Sequence, residues 1–259
     1  MVKGLYTAYT GMLNEQNRMD IMTNNLANAS TVGFKKEGST SQSFNSLLAY
    51  KLKDGSVGLD RKQNIGRNTP GVKIGENYTD YTQGSFRITE NTFDLALTDA
   101  GFFAVEFTNK AGETTTRYTR AGNFTLNKEG YLVNNDGDYV LDTNNRHIKL
   151  DPLQETTITS DGGIYQGNGT KVAQIQVVDF EDYDYLKRTG ETFFEPIEGA
   201  KFTTSAAQVQ SGYLEMSNVQ VVSEMVNMIA ITRQYESNQK VLQTMDNSLE
   251  IATRELGRL

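Results

Sequence analysis

The sequence contains no cysteine and a single histidine, His147. The lack of cysteine excludes disulfides, thiolate metal sites and a cysteine nucleophile. One histidine excludes a histidine-rich zinc site, and a Ser-His-Asp triad would depend on a residue in a turn-rich stretch. These absences leave few routes to catalysis.

Basic residues are in the minority. Lys and Arg number 25 against 32 for Asp and Glu, and the formal net charge is -7. A surface of this sign repels a phosphate backbone, so no nucleic-acid partner is expected. With 37% hydrophobic residues, the chain is nevertheless predicted to fold around a core.

Long hydrophobic runs are also missing. No stretch approaches the roughly 20 apolar residues that cross a bilayer. Lys3 is followed by polar residues such as Thr7, Thr10 and Asn14 where a signal peptide needs an apolar core. We therefore expect no direct membrane insertion and no cleaved signal peptide, so export would need another route.

Glycine is absent from residues 12–32 and 213–256, and these two ends are predicted helices. In the first, a 4-3 spacing places seven residues on one stripe: Leu5, Tyr9, Met12, Gln16, Met19, Thr23 and Leu26. A neighbouring stripe through Val2, Tyr6, Leu13 and Met22 predicts a helix that is apolar over a wide arc.

The C-terminal end, from about Ser217 to Gly257, carries a coiled-coil seam with a 3-4 alternation. Its members are Met228, Ile231, Tyr235, Asn238, Leu242, Met245, Leu249, Ala252 and Leu256. Either the two terminal helices of one chain pack as a hairpin, or partner chains cover the seam. Since isolated helices are marginal in water, these ends are expected to be mobile alone and ordered in an assembly.

The middle of the chain has the pattern of an antiparallel β-domain. Short strand-like runs such as Phe102–Phe107 and Thr115–Thr119 alternate with turns such as Asn135-Asp136-Gly137. The expected fold class is α+β, with long terminal helices in a coiled-coil-like bundle and a central β-domain. The expected segments are a core helix over 1–34, an extended connector over 35–83, the β-domain over 84–210 and a second core helix over 211–259. Within the connector, Phe44 to Leu52 form a possible short helix.

Motifs for chemistry are weak. Gly66 and Gly71 have the phosphate-loop spacing, but the Lys-Ser/Thr pair that should follow is missing. The acidic cluster Asp179, Glu181, Asp182 and Asp184 can hold calcium or supply a glycosidase pair, yet it lacks EF-hand spacing and favours a solvated loop. We predict no catalytic residue, no metal site and no cofactor.

Three regions carry a family resemblance. The N-terminal signature is Asn24-Asn25-Leu26-Ala27-Asn28-Ala29-Ser30-Thr31-Val32-Gly33-Phe34-Lys35. The C-terminal one is Gly212-Tyr213-Leu214-Glu215-Met216-Ser217-Asn218-Val219, followed by Glu224 to Ile229 and Arg233 to Asn238. The central one includes Phe93 to Leu97, Gly101 to Val105 and Tyr118 to Phe124.

These motifs resemble the bacterial flagellar rod and hook proteins, most closely the rod proteins, and the length and C-terminal motif favour distal-rod members. The resemblance implies a structural subunit that is not an enzyme, located in the basal-body rod that crosses the cell envelope. Its implied partners are copies of itself, other rod and hook proteins, the flagellar type III export apparatus and ring or bushing proteins.

The resemblance and the helical patterns together assign assembly roles to two sets of residues. The N-terminal set is Leu5, Met12, Met19, Asn24, Asn25, Leu26, Ala27, Asn28, Thr31, Gly33 and Phe34. The C-terminal set is Leu214, Glu215, Ser217, Asn218, Val219, Glu224, Met228, Ile231, Tyr235, Glu236, Asn238, Leu242, Met245 and Leu249. The alternatives are a proximal-rod or hook paralogue, a non-flagellar coiled-coil fibre or binding subunit, and a carbohydrate-active enzyme.

Overall fold

A computed structural model of the chain describes residues 2–51, 63–109, 112–167 and 169–258. The fold is α+β, with an N-terminal helix, a C-terminal helix and a central antiparallel β-domain, as predicted. Contacts divide it into two compact units built from interleaved segments. Unit 1 comprises the residues up to Leu26, Glu37–Asp80 and the residues from Gln220 onwards; unit 2 comprises Ala27–Lys36 and Tyr81–Val219.

The two helices are α1, Val2–Ala27, and α2, Val221–Leu256. Helix α2 begins four residues after the predicted Ser217, with Gln220 as its N-cap residue, and the Glu224 amide donates to the Gln220 carbonyl at 3.0 Å. The carboxylate of Glu224 lies in the first turn of α2, where it stabilises the helix because the helix dipole is positive at this end. Among the described residues, no helix is both long and apolar enough to cross a membrane.

The helices approach each other at two glycines of α1. A Cβ atom built on Gly4 would lie 2.6 Å from the Met245 methyl, and one on Gly11 would lie 3.1 Å from the Asn238 amide nitrogen. These glycines are seven residues apart, so they face the C-terminal seam at the spacing of one heptad. The hairpin alternative therefore has direct contacts within one chain, while a wider helical bundle stays a prediction.

Burial along α2 follows the predicted seam from Met228 to Ala252. Ile231 is 3% exposed and the other seam residues are half-buried, whereas most residues between them are exposed. Leu256, the last predicted member, is 72% exposed, so the seam ends before it.

The predicted stripe of α1 is only partly correct. Leu5, Met12 and Met19 are half-buried, as is Leu26, but Tyr9 is 47% exposed. Gln16 and Thr23 are also exposed, as are Tyr6 and Leu13 of the neighbouring stripe. The most buried residues are instead Ala8, Asn14, Glu15 and Asn25. Polar side chains are tolerated there because α1 also contacts backbone and polar groups of a β-ribbon.

This ribbon replaces the predicted connector. It contains β1 (Glu37–Ser43), β2 (Leu47–Lys51), β3 (Gln63–Asn68) and β4 (Val72–Thr79), with β1 antiparallel to β4 and β2 antiparallel to β3. The short helix predicted for Phe44 to Leu52 is wrong for its described part, because Leu47–Lys51 are a strand; Leu52 lies outside the described residues. The Asn14 amide donates to Ser41 Oγ at 3.1 Å, which fixes β1 on α1.

Unit 2 consists of short antiparallel strands. They are β5 (Phe86–Ile88), β6 (Leu95–Leu97), β7 (Phe102–Thr108), β8 (Thr114–Thr119), β9 (Thr125–Leu126), β10 (Leu132–Val133), β11 (Tyr139–Val140), β12 (Thr156–Ile158), β13 (Gly163–Gln166), β14 (Thr170–Gln174), β15 (Val177–Phe180), β16 (Leu186–Thr189), β17 (Phe193–Pro196), β18 (Phe202–Thr204), β19 (Val209–Ser211) and β20 (Tyr213–Glu215). The main sheet has the order β16-β17-β8-β7-β11-β10-β9, with β15 joining β7 to β18.

Strand β7 explains why this sheet has a core on both faces. Phe103 and Val105 point into one hydrophobic cluster, while Phe102 and Ala104 point into the other. Alternate side chains of a strand lie on opposite faces, so an uninterrupted apolar run is buried on both sides. The continuous run Phe102–Val105 thus marks the centre of unit 2.

Candidate functional site

The two terminal signatures meet inside unit 2. Strand β20 of the C-terminal signature pairs with β5, and the Met216 amide beyond it donates to the Ser85 carbonyl at 2.9 Å. From the N-terminal signature, the Gly33 amide donates to the Glu215 carbonyl at 2.8 Å. The Gly33–Glu215 bond therefore joins segments about 180 residues apart in sequence.

At their meeting point lies a buried charged cluster of Lys35, Arg120 and Glu215, called here the junction cluster. The Lys35 ammonium is 2.6 Å from Glu215 Oε1, and Arg120 Nη1 is 3.2 Å from Glu215 Oε2. The side chains of Lys35 and Glu215 are each 1% exposed and that of Arg120 is 5% exposed. One carboxylate thus holds two cations, one of them from the N-terminal signature.

The surrounding backbone adds hydrogen bonds to Lys35 and Glu215. Lys35 Nζ also donates to the Thr82 carbonyl at 2.8 Å, and the Gly84 amide donates to Glu215 Oε1 at 3.0 Å. Burying charges is costly unless they are paired and hydrogen-bonded, and here pairing and hydrogen bonds occur together. The cluster consequently fixes which segments lie side by side.

Two glycines allow the close approach of backbones around the cluster. Gly33 has φ of +69°, and a Cβ there would lie 2.3 Å from the Ala121 amide nitrogen. A Cβ on Gly84 would lie 1.9 Å from the Met216 carbonyl oxygen. A side chain at Gly33 would cause both backbone strain and a steric clash. Local structure therefore explains why glycine occupies this position of the signature.

Asn218 links the C-terminal signature to Lys36, the residue that follows the N-terminal signature. Its Oδ1 accepts from the Lys36 amide at 2.8 Å, and its Nδ2 donates to Thr82 Oγ1 at 3.0 Å. Ser217 Oγ accepts from the Val219 amide at 3.2 Å, which shapes the turn just before α2. Ser217, Asn218 and Val219, which were predicted as assembly residues, therefore form hydrogen bonds in the last residues of unit 2.

Other predicted site residues lie outside this junction. Asn25 belongs to unit 1, where its amide brackets the backbone of Glu37, accepting at 2.9 Å and donating at 2.7 Å. Asn28 and Thr31 are linked within unit 2 by a 3.0 Å side-chain hydrogen bond. Leu214 and Phe34 are buried, Asn24, Ala27 and Glu236 are exposed, and Tyr235 is half-buried. The seam residues lie on α2, in unit 1.

Sequence reasoning missed Arg120, Lys35 as an ion-pair partner, and Arg188. Arg120 lies within the central motif Tyr118 to Phe124, but the sequence does not indicate that Glu215 is its partner. Arg188 lies on β16, in a region without a motif, and its Nη1 donates to the Lys35 carbonyl at 3.0 Å. Only the three-dimensional contact identifies it.

In the acidic cluster of unit 2, Glu181, Asp182 and Asp184 are exposed and Asp179 is half-buried. Tyr183 donates to Asp179 at 2.7 Å, and desolvation together with this bond and the Asp179 charge raises the pKa of Tyr183 to about 12. A pocket of about 400 Å³ is lined by Glu181, Asp182, Tyr185, Gly199 and Lys201. Across the part of the chain that the structure describes, no three His, Cys, Asp or Glu side chains are grouped to hold a metal.

Three family models match separate parts of the chain. "Flagella basal body rod protein" matches residues 5–35, "Flagellar hook protein FlgE/F/G D1 domain" matches 96–166, and "Flagellar basal body rod FlgEFG protein C-terminal" matches 210–255. The first and last matches contain the two signatures of the junction, and the middle one contains Arg120.

Full-length relatives agree. The chain is 33% identical to the flagellar basal-body rod protein FlgG of Bacillus subtilis, over 96% of this chain and 97% of the relative. It is 35% identical to the rod protein FlgF of Caulobacter vibrioides, over 100% and 98% of the two chains. It is 32% identical to the flagellar hook-basal body complex protein FlhO of B. subtilis, over the whole of both chains.

Proposed function

Because the chain belongs to the bacterial flagellar basal-body rod protein family, we propose that it is an axial subunit of the distal rod. Membership makes it a structural protein of the basal body. The proposal adds that copies polymerise helically through α1 and α2 into a drive shaft that transmits motor torque to the hook. The support comes from apolar side chains of these helices that are exposed among the described residues.

The main support for the proposal is a set of exposed apolar side chains on the first turns of α2. Val222, Met225, Val226 and Ile229 are 76%, 49%, 60% and 54% exposed. Their spacing of three, four and seven residues places them on one helix face, away from the seam at Met228 and Ile231. A contiguous apolar face of this kind marks an interaction surface.

Helix α1 has a matching exposed face. Tyr6, Tyr9 and Leu13 are 58%, 47% and 39% exposed and share one side of the helix. We take the partner to be a second copy of this chain, because both helices offer apolar faces that the described residues of one subunit leave exposed. A head-to-tail contact between different faces does not close on itself and generates a helical filament.

The other predicted partners belong to the same proposal. Neighbouring rod and hook proteins would cap the two ends of the filament, and ring or bushing proteins would surround it. Export would use the flagellar type III apparatus, without a cleaved signal peptide. These assignments follow from the family and not from a contact on the described surface.

A second candidate is another axial position, as a proximal-rod or hook-family paralogue. The observation that favours it is the nearly equal identity to relatives that carry different subunit names, FlgG, FlgF and FlhO. All of these candidates would assemble through their helices. One experiment therefore tests whether the helices mediate assembly, and a second tests which position in the rod the subunit occupies.

The assembly experiment compares purified full-length protein with Val226→Asp by negative-stain electron microscopy and sedimentation at high concentration. We expect wild-type protein to form rods or tubes and the variant to stay dispersed, because a carboxylate in an apolar contact is costly. Gln239→Asp, at an exposed polar position of α2, is the matched control and should assemble. Dispersed wild-type protein, or rods from Val226→Asp, would contradict the proposal.

The position experiment examines basal bodies from a strain that lacks the gene. A distal subunit should leave a shortened rod without a hook, whereas a proximal subunit should leave no rod beyond the inner rings. Normal motility of this strain would overturn the rod assignment altogether.

A further inference from the structure

We propose that Arg188 is a positioning residue for rod assembly, because it holds the N-terminal signature in its docked conformation within unit 2. The consequence for assembly depends on the proposed rod function, while the docking itself does not. Arg188 lies on β16, outside the residues matched by the three family models.

The guanidinium of Arg188 joins two pieces of backbone. Its Nη1 donates to the Lys35 carbonyl at 3.0 Å, its Nε donates to the Gly190 carbonyl at 3.3 Å, and its Nη2 donates to the Glu191 carbonyl. Gly190 and Glu191 belong to the turn between β16 and β17. All three guanidinium nitrogens therefore donate, one to the signature and two to this turn.

The same group also covers a buried aromatic ring. Arg188 Cζ lies 4.3 Å from the centre of the Phe34 ring, and Phe34 is 0% exposed. A planar guanidinium can stack on a ring while its edge donates several hydrogen bonds, whereas a lysine ammonium is a point charge that cannot do both. The Arg188 site is thus specific for arginine.

Arg188 contacts the signature from a different part of unit 2 than Glu215 and Asn218 do. Glu215 accepts from the Gly33 amide and Asn218 accepts from the Lys36 amide, and both belong to the C-terminal signature. Arg188 instead contacts Phe34 and the Lys35 carbonyl from the main sheet. The segment Ala27–Lys36 is the only part of unit 2 that precedes Tyr81, and both of its flanking segments belong to unit 1. Loss of Arg188 should release this segment before it unfolds the sheet.

Amide hydrogen exchange on the full-length chain tests the docking. In Arg188→Met, exchange of the Gly33 and Lys36 amides should accelerate at least tenfold, while the core amides of Val105 and Ile164 keep their protection. Arg188→Lys should lie between wild type and Arg188→Met. Lys187→Met, on the same strand but exposed, is the matched control and should match wild type. Unchanged exchange at Gly33 and Lys36, or equal acceleration in the core, would overturn the proposal.

Soft-agar motility of strains that carry these variants tests the link to assembly, with protein levels checked by immunoblot. Arg188→Met should swim markedly less than the Lys187→Met strain at equal protein level, and Arg188→Lys should recover part of the difference. Wild-type swimming by Arg188→Met despite accelerated exchange would overturn the assembly role. Normal swimming of the gene deletion would instead overturn the proposed rod function, while the exchange result would still decide the docking role.

Discussion

The Lys35 ammonium lies 2.6 Å from the Glu215 carboxylate, although the two residues are 180 positions apart and both side chains are 1% exposed. Glu215 also pairs with Arg120, so a single carboxylate compensates two buried cations. The segment that follows α1 and the segment that precedes α2 are consequently fixed to each other within unit 2.

Glu215→Gln should destabilise unit 2 strongly, because it removes the negative charge with which both Lys35 and Arg120 pair. We expect a loss of about 3–5 kcal/mol in the free energy of unfolding, measured by urea denaturation. Lys35→Met should cost less, since Glu215 keeps Arg120. The control is Lys201→Gln, which breaks the Lys201–Glu181 pair, where the side chains are 77% and 63% exposed. That change should cost at most about 1 kcal/mol, and similar losses in all three variants would contradict a special role of burial.

Gly33→Ala should weaken the junction for two separable reasons. The residue has φ of +69°, which costs an alanine about 1–2 kcal/mol, and its Cβ would lie 2.5 Å from the Arg120 carbonyl carbon. Gly137→Ala isolates the first reason, because Gly137 has φ of +93° with nothing within 4 Å of the built Cβ. Thermal denaturation should show a larger loss for Gly33→Ala than for Gly137→Ala. Equal losses would mean that close backbone packing at Gly33 adds nothing.

Asp138 should make the stability of unit 2 dependent on pH. Desolvation raises the pKa of its carboxyl, and the nearby charge of Asp136 raises it further. The hydrogen bond from Asn134 lowers the pKa, but the net shift is upward. A raised pKa in the folded state means that the contribution of this group to stability is present below the unfolded value near 4. It is lost as pH rises through the folded value.

Asp138→Asn removes this titration and keeps an acceptor for the Asn134 amide, which donates to Asp138 Oδ2 at 3.0 Å. The free energy of unfolding of the variant, relative to wild type, should therefore be higher at pH 7 than at pH 3. Urea denaturation at the two pH values measures the difference. A variant that is equally affected at both pH values would show that burial of this carboxylate has no energetic consequence.

Local pattern was sufficient to predict much of the fold. The run Phe102–Phe107 is strand β7, and the 3-4 alternation from Met228 to Ala252 is the buried face of α2. In both cases the pattern is long and periodic. The ribbon was missed because the sequences of strands β1 and β3 are polar, and because β1 is held by a tertiary contact with α1, the Asn14–Ser41 hydrogen bond. The α1 stripe was partly wrong for the same reason.

The signatures identified the family but not the chemistry of the junction. Lys35 and Glu215 both lie within signature motifs, yet nothing in the sequence indicates that two residues 180 positions apart form an ion pair. A buried lysine is uncommon and becomes understandable only when its counter-charge is located. No sequence pattern pointed to Arg188, because its contacts are with backbone carbonyls and with the ring of Phe34, which is far away in the sequence.

Leu242→Asp tests the seam itself. Leu242 is half-buried on α2 between Asn238 and Met245, the two residues that face glycines of α1. A carboxylate there should separate the helices and prevent assembly, while unit 2, which contains both hydrophobic clusters, stays folded. Electron microscopy reports assembly, circular dichroism reports helix content, and exchange at Val105 and Ile164 reports unit 2. Gln243→Asp, one position further on an exposed face, should assemble normally. Rods formed by Leu242→Asp would show that the α1–α2 contact within a subunit is not required for contacts between subunits.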